Sequence, residues 1–179
     1  MTISKSNLKK INSISSMSYL DGPEADILYY LPALMARLND TETLVDVGCR
    51  TARILDFMEC DYYGFDTSPE PISYAQQKYP SKIIELRSWN DSLKNPFDRV
   101  DTVVLNSVMI YHNNPLDFFN RLVDFYKPKQ VIIQEISNQN SEDFDYVDLS
   151  EIQNKYQHTR YDIKVNIPCK YRTLLNVKL

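Results

Sequence analysis

The sequence predicts an α/β fold, a mostly parallel sheet with helices against it, on three observations. Residues 43–66, TLVDVGCRTARILDFMECDYYGFD, read as strand, glycine turn, helix, strand and acidic residue. Val100 to Leu105 is a near-continuous apolar run of the kind a buried parallel strand needs. Along the rest of the chain, short apolar runs alternate with segments of helical period, the pattern of strand–helix–strand units.

The elements follow in order. Residues 1–22 form a polar, serine-rich arm that is expected to be mobile, with at most a short helical turn near Leu8–Ile14. Residues 23–179 form a single domain. Asp21-Gly22-Pro23 turns the chain into a helix starting near Pro23. Ile27, Leu28, Leu31, Leu34, Met35 and Leu38 make its apolar stripe, Pro32 inside it predicts a kink or break, and Asn39-Asp40 ends it. Leu44–Val47 is the first strand. Ile54, Leu55 and Met58 mark one face of the next helix, and Tyr62–Phe65 is the second strand. Ser68 as N-cap, Pro69 and Glu70 open a helix with Ile72, Ala75 and Tyr79 on one face, which Pro80 closes.

Lys82–Leu86 is the third strand and Asn95–Asp98 a turn before the fourth. Asn114 caps and Pro115 opens a helix whose apolar face is Phe118, Phe119, Leu122, Val123 and Tyr126, stopped by Lys127-Pro128. Gln130–Glu135 is the fifth strand. Residues 137–151 are a polar, acidic loop, 148–157 a short helix that continues to a solvated His158, and 161–167 and 171–177 two closing strands joined by Pro168-Cys169-Lys170.

Composition narrows the function classes. The 179 residues carry a net charge of −4, with 43% hydrophobic and 25% charged residues, ordinary for a soluble domain. Lysines 5, 9 and 10 and a basic stretch from Lys155 to Lys178 leave the middle acidic. An acidic body argues against a phosphate-tracking nucleic-acid surface, and the basic tail reads as a solvated strand face. No apolar run is long enough to span a membrane, and the first residues lack a secretory apolar core, so a cytoplasmic protein is expected. Cys49, Cys60 and Cys169 have neither disulfide nor zinc spacing, and no metal site is expected. Cys49 reads as a small packed residue in the turn.

The residues of the 43–66 unit have definite physical uses. A turn that approaches a ligand closely favours glycine, here Gly48. A following helix would present free N–H groups to that ligand. An acid ending the second strand, here Asp66, can accept hydrogen bonds from both ribose hydroxyls, and it lies about 20 residues beyond the glycine turn in dinucleotide-binding folds. The absence of a G-x-G-x-x-G argues against a nicotinamide or flavin enzyme.

The stretch Asp46-Val47-Gly48-Cys49-Arg50-Thr51-Ala52 resembles motif I of the class I S-adenosylmethionine-dependent methyltransferases, acidic-x-Gly-x-Gly-x-Gly, with Arg50 and Ala52 in place of two glycines. Arg50 either points to solvent while the turn survives, or fills part of the cofactor site or contacts a carboxylate. Gly64-Phe65-Asp66-Thr67-Ser68-Pro69 resembles the family's second-strand signature, and the likeness extends over residues 23–179. It implies a Rossmann-like, seven-stranded, mostly parallel sheet with helices on both faces and a C-terminal antiparallel hairpin. It also implies S-adenosylmethionine as cofactor and methyl transfer to a small-molecule acceptor.

By the same resemblance, Gly48, Cys49 and Arg50 line the methionine end, and Asp46 orients its amino group. Asp66, with Thr67 beside it, holds the ribose. Trp89, Asn90 and Asp91 form the adenine wall, and Asn106 and Ser107 sit under the sulfonium. Tyr111 or His112 faces the substrate, His112 as a neutral imidazole able to take a proton. The leading helix partly covers the site, with Tyr19, Tyr29 or Tyr30 as a cap. The alternative is a non-catalytic scaffold of the same fold, motivated by the two lost glycines and working with a protein partner; a homodimer is also left open.

Overall fold

The computed structural model describes residues 25–136, 147–164 and 171–179. The expected N-terminal arm and Tyr19, the loop from 137 to 146 and the 165–170 turn lie outside them. The elements are α1 (Asp26–Arg37), β1 (Thr43–Val47), β2 (Asp61–Asp66), α2 (Pro69–Lys78), β3 (Ile83–Leu86), β4 (Thr102–Asn106), α3 (Pro115–Tyr126), β5 (Gln130–Ile136), α4 (Ser150–Lys155), β6 (His158–Lys164) and β7 (Tyr171–Lys178). The seven strands form one sheet in the order β3-β2-β1-β4-β5-β7-β6. β1 through β5 run parallel to one another, and β7 runs antiparallel to both β5 and β6. This is the Rossmann-like architecture expected, closing hairpin included.

Alternate residues of each strand feed opposite faces. Val45, Val47, Val103, Leu105, Val131 and Ile133 join the cluster built with Phe118, Phe119, Leu122 and Tyr126 of α3. Leu44, Val104 and Ile132 join the other, with Ala33 and Ala36 of α1 and Ile72 and Ala75 of α2. Each fully buried large side chain stabilises by roughly 1.5–3 kcal/mol. Helices therefore cover both faces, and the strand order reverses between β1 and β4, where open α/β sheets form their ligand crevice.

The structure corrects several expectations. The segment after the glycine turn is no α-helix but a short 3-10 helix, Arg53–Asp56. An α-helix returning along a five-residue strand, about 17 Å, needs roughly 11 residues. Only Arg53 to Cys60 separate the turn from β2, so that helix cannot form.

Pro32 does not break α1, which runs through it from Asp26 to Arg37. Proline leaves the carbonyl four residues back without its helical donor. That carbonyl, Leu28 O, accepts instead from Asn106 Nδ2 at 3.0 Å and Gln134 Nε2 at 2.9 Å. The buried face of α1 is also turned from the expected stripe: Ala25, Leu28, Tyr29, Pro32, Ala33 and Ala36 are buried, while Leu38 is 69% exposed. Small alanines let this helix sit close on the sheet.

Ser68 occupies the N-cap of α2 without a side-chain cap bond; its N–H donates to Asp66 instead. Asn114 does cap α3, its Oδ1 accepting from Asp117 N at 3.1 Å. α4 is shorter than expected, and His158 belongs to no helix: it begins β6.

Candidate active site

The site is built at the carboxyl ends of β1, β2, β4 and β5. The turn after β1 places Gly48, Arg50 and Ala52 in the left-handed region, at φ +74°, +48° and +53°. These are the three glycine positions of the motif. Two of the three carry side chains in that conformation, at roughly 1–2 kcal/mol each. The Gly48 and Cys49 N–H groups donate to Phe65 O at 2.9 and 3.1 Å, locking the turn against β2. A Cβ on Gly48 would lie 2.9 Å from Val108 Cγ2, so the turn also approaches the segment after β4 closely.

Asp66 is buried at the end of β2. Its Oδ1 accepts from Ser68 N at 2.8 Å and its Oδ2 from Arg50 N at 3.1 Å. A carboxylate oxygen has two lone pairs, so one acceptor position per oxygen remains, which fits a pair of vicinal hydroxyls. Arg50 thus reaches the acid through its backbone, and its half-buried side chain lies close enough to Tyr111 to act on that phenol.

Asp46 is buried beside Gly64 of β2. Gly64 has no Cβ, and the ring of Tyr62 occupies that space: a Cβ there would lie 2.5 Å from the Tyr62 hydroxyl. The hydroxyl donates to Asp46 Oδ2 at 2.9 Å. Burial raises the Asp46 carboxyl to about 7, the Tyr62 bond opposing and nearby Asp66 adding to the rise. Asp46 is therefore capped by tyrosine. Cys49 is buried too, and desolvation with Asp46 and Asp66 nearby pushes its thiol well above the ordinary range, the behaviour of a packed residue.

The adenine candidates separate. Trp89 is half-buried and packs 6.0 Å from Tyr111 and 5.1 Å from His112, ring centre to ring centre. Asn90 and Asp91 are exposed, as is Thr67 after β2. Asp91 spends Oδ2 on Ser88 N at 3.0 Å, holding the loop's own turn. The structure thus brings Trp89, Tyr111 and His112 into one aromatic group, with His112 stacked on Phe118 at 3.5 Å. Burial, with Arg121 nearby, lowers His112 to about 4, so its imidazole is neutral. Its buried Nε2 finds no hydrogen-bond partner among the described residues.

Asn106 and Ser107 lie side by side at the end of β4. The Asn106 amide is engaged: Nδ2 on Leu28 O, and Oδ1 accepting from Gln134 Nε2 at 3.0 Å. Ser107 sits at φ +57°, its N–H donates to Gln134 O at 2.7 Å, and its Oγ accepts from Arg172 Nη1 at 2.7 Å.

Sequence reasoning missed Glu135, Arg172, Gln134 and Tyr62. Glu135 is wholly buried in β5, and its Oε1 accepts from Met109 N at 2.7 Å, clipping the Met109–Tyr111 turn to the sheet. Burial raises it to about 8, against the Met109 N–H and the Arg172 charge. Its Oε2 and Arg172 Nε have no partner among the described residues. The available signal was Gln134-Glu135 itself, two adjacent polar residues that follow the apolar run Val131–Ile133 in a buried strand. Among the described residues no cluster of three or more histidine, cysteine or acidic side chains has the arrangement of a metal site, and no helix is long and apolar enough to cross a membrane.

A strand order that reverses between β1 and β4, a three-position left-handed turn after β1 and a buried acid ending β2 are the features expected of a class I S-adenosylmethionine-dependent methyltransferase. The chain belongs to the methyltransferase-domain family, whose model matches residues 24–173. No curated protein matches the sequence. Among solved structures it resembles the N-methyltransferase NodS from Bradyrhizobium japonicum WM9 in complex with S-adenosyl-L-homocysteine, at TM-score 0.69 and 12% identity over 88% of each chain. It also resembles a SAM-dependent methyltransferase from Aquifex aeolicus, at TM-score 0.64 and 18% identity, covering 91% of this chain and 96% of that one. Magnesium protoporphyrin IX methyltransferase from Synechocystis PCC 6803, with bound SAM, matches at TM-score 0.65 and 13% identity, over 87% and 80% of the two chains.

Proposed function

We propose that this chain methylates a small-molecule acceptor. The supporting observation is the length of the connections: the longest between consecutive strands, residues 107–129 from β4 to β5, holds a short 3-10 turn and α3 and leaves no room for a substrate domain. Among the described residues, Trp89, Tyr111, His112 and Phe118 gather at the site end of the sheet. The acidic mid-chain and net charge of −4 weigh against a polyanionic substrate. Similar structures named above methylate acceptors such as magnesium protoporphyrin IX, which is compatible with this reading.

S-adenosylmethionine supplies an electrophilic methyl group on its sulfonium. The chain's residues would then bind and align. Asp66 would hold the ribose through its two remaining acceptor positions, with Thr67 beside it. Gly48, Cys49 and Arg50 would line the methionine end by their backbone, and Asp46 would act there under the Tyr62 cap. Trp89 would wall the adenine more closely than the exposed Asn90 and Asp91. Asn106 and Ser107, tied to Leu28, Gln134 and Arg172, would form a rigid floor. Tyr111 and His112 would face the acceptor. Methyl transfer gains chiefly from alignment, and a neutral His112 can accept a proton where the acceptor must lose one.

Calorimetric titration with S-adenosylmethionine and with S-adenosylhomocysteine tests the site. Micromolar binding that disappears in Asp66→Ala supports it. No binding by the wild type, restored in Arg50→Gly, would turn the reading to a scaffold that has lost its cofactor.

A further inference from the structure

The sheet ends at β6. This strand pairs with β7 without a break, from His158↔Val177 to Lys164↔Tyr171. Among the described residues no strand lies on its other side. An outer strand presents a row of backbone N–H and C=O groups to any strand that can pair with it. Proteins usually guard such edges with proline, a bulge, short length or charged side chains, lysine above all. β6 is seven residues long, contains no proline and keeps an unbroken register; its charges, Arg160, Asp162 and Lys164, are of both signs, so they repel a foreign strand less than they can complement a second copy of β6. Thr159, Arg160, Tyr161 and Asp162 are all exposed, Tyr161 by 45%.

We propose that β6 is a homodimer edge, where two copies of this chain pair antiparallel about a two-fold axis through Tyr161. The charges and the length of the strand together select that axis: an axis through Ile163 would also set Asp162 opposite Lys164, but it would pair only three residues of β6, whereas Tyr161 is the middle of the seven. Outward-pointing backbone groups sit on alternate residues of a strand, so two-fold pairing of a strand with itself must centre on a residue. Centred on Arg160, it sets Arg160 against itself; centred on Asp162, it sets Asp162 against itself. Centred on Tyr161, it places Arg160 of each copy opposite Asp162 of the other and Tyr161 opposite its counterpart. Thr159 then faces Ile163, and His158 faces Lys164. Opposite charges and aromatic pairs directly across an antiparallel ladder stabilise it, and like charges destabilise it.

Within one chain Arg160 already donates to Asp162 at 2.9 and 3.1 Å, so the two side chains share one face and are poised to re-pair across the axis. The interface is isologous. It leaves the methyl-transfer site open, because β5 and β7 stand between β4 and β6. This inference is independent of the acceptor.

Arg160→Asp and Asp162→Arg test the pairing by sedimentation velocity over a concentration series. Circular dichroism and thermal unfolding confirm that each variant is folded. The wild type should dimerise. Each single variant makes two like-charge contacts in place of two attractive ones and should self-associate about thirtyfold more weakly. Mixed together, the two variants are complementary at every contact and should form a heterodimer. A wild type that stays monomeric throughout the series overturns the proposal. So do single variants that dimerise like the wild type, or a mixture that fails to associate. Amide hydrogen exchange of the wild type gives a readout free of mutation: protection of β6 should rise with protein concentration, and unchanged protection would count against the pairing.

Discussion

At the scale of single residues, the turn after β1 holds two side chains in the left-handed region where the resembled motif has glycines. Arg50 and Ala52 stand at φ +48° and +53°, where a side chain costs free energy but does not forbid the conformation. Gly48 is different, because its positive φ is joined by a 2.9 Å approach to Val108. Gly48→Ala is expected to destabilise by about 2–3 kcal/mol and to abolish S-adenosylhomocysteine binding; chemical denaturation and calorimetry would measure both. A Gly48→Ala protein of wild-type stability would contradict this account of the turn. At this scale the sequence was informative about Gly48 and Asp66, because turn chemistry and spacing are local. It could not show that Tyr62 would cover Asp46, because that contact depends on the register of β1 against β2, which sets Asp46 beside Gly64. Nor could it expose the Glu135–Met109 bond, whose partners are 26 residues apart.

At the scale of elements, most strands and α3 were legible because apolar runs and capping residues act within a few positions. The errors arose where tertiary partners overrode local rules. Pro32 is the clearest: taken alone it is a helix breaker, yet two amides from β4 and β5 satisfy the carbonyl it orphans. This makes a sharp prediction. Replacing a proline inside an ordinary helix by alanine should gain about 3 kcal/mol. Pro32→Ala would give Leu28 O a third donor for its two lone pairs, so urea denaturation should find it within about 1 kcal/mol of wild type. A gain near the full amount would mean that the Asn106 and Gln134 bonds are dispensable. The missing α-helix after the turn has the opposite origin, a connection too short for the element its apolar spacing suggested.

For the molecule as a whole, buried acids set the pH response. Burial raises Asp46 from 3.8 to about 7 and Glu135 from 4.5 to about 8. Over that window the folded state holds protons that the unfolded chain has released, so the unfolding free energy falls as pH rises. Their contribution is complete below about pH 4 and lost above about pH 8. Asp101 acts oppositely: although burial alone would raise it, Lys129, the N–H groups of Glu42 and Thr43, and Arg99 hold it well below the ordinary range. It therefore supports the fold above its unfolded pKa and loses that support in acid. Urea midpoints measured at about pH 5 and about pH 8 should fall between the two, and Asp46→Asn or Glu135→Gln should flatten the slope. A wild-type midpoint that rose over this range would overturn the assignment. The aromatic group at the site has a different use. Trp89 is the only tryptophan in the chain, and it rests against Tyr111 and His112. Under excitation selective for indole, nearly all of the protein's fluorescence therefore originates between the proposed adenine wall and the two side chains that would face the acceptor, and a shift or quench of that emission in the presence of saturating S-adenosylhomocysteine could sort a library of compounds by binding before any methylated product is known.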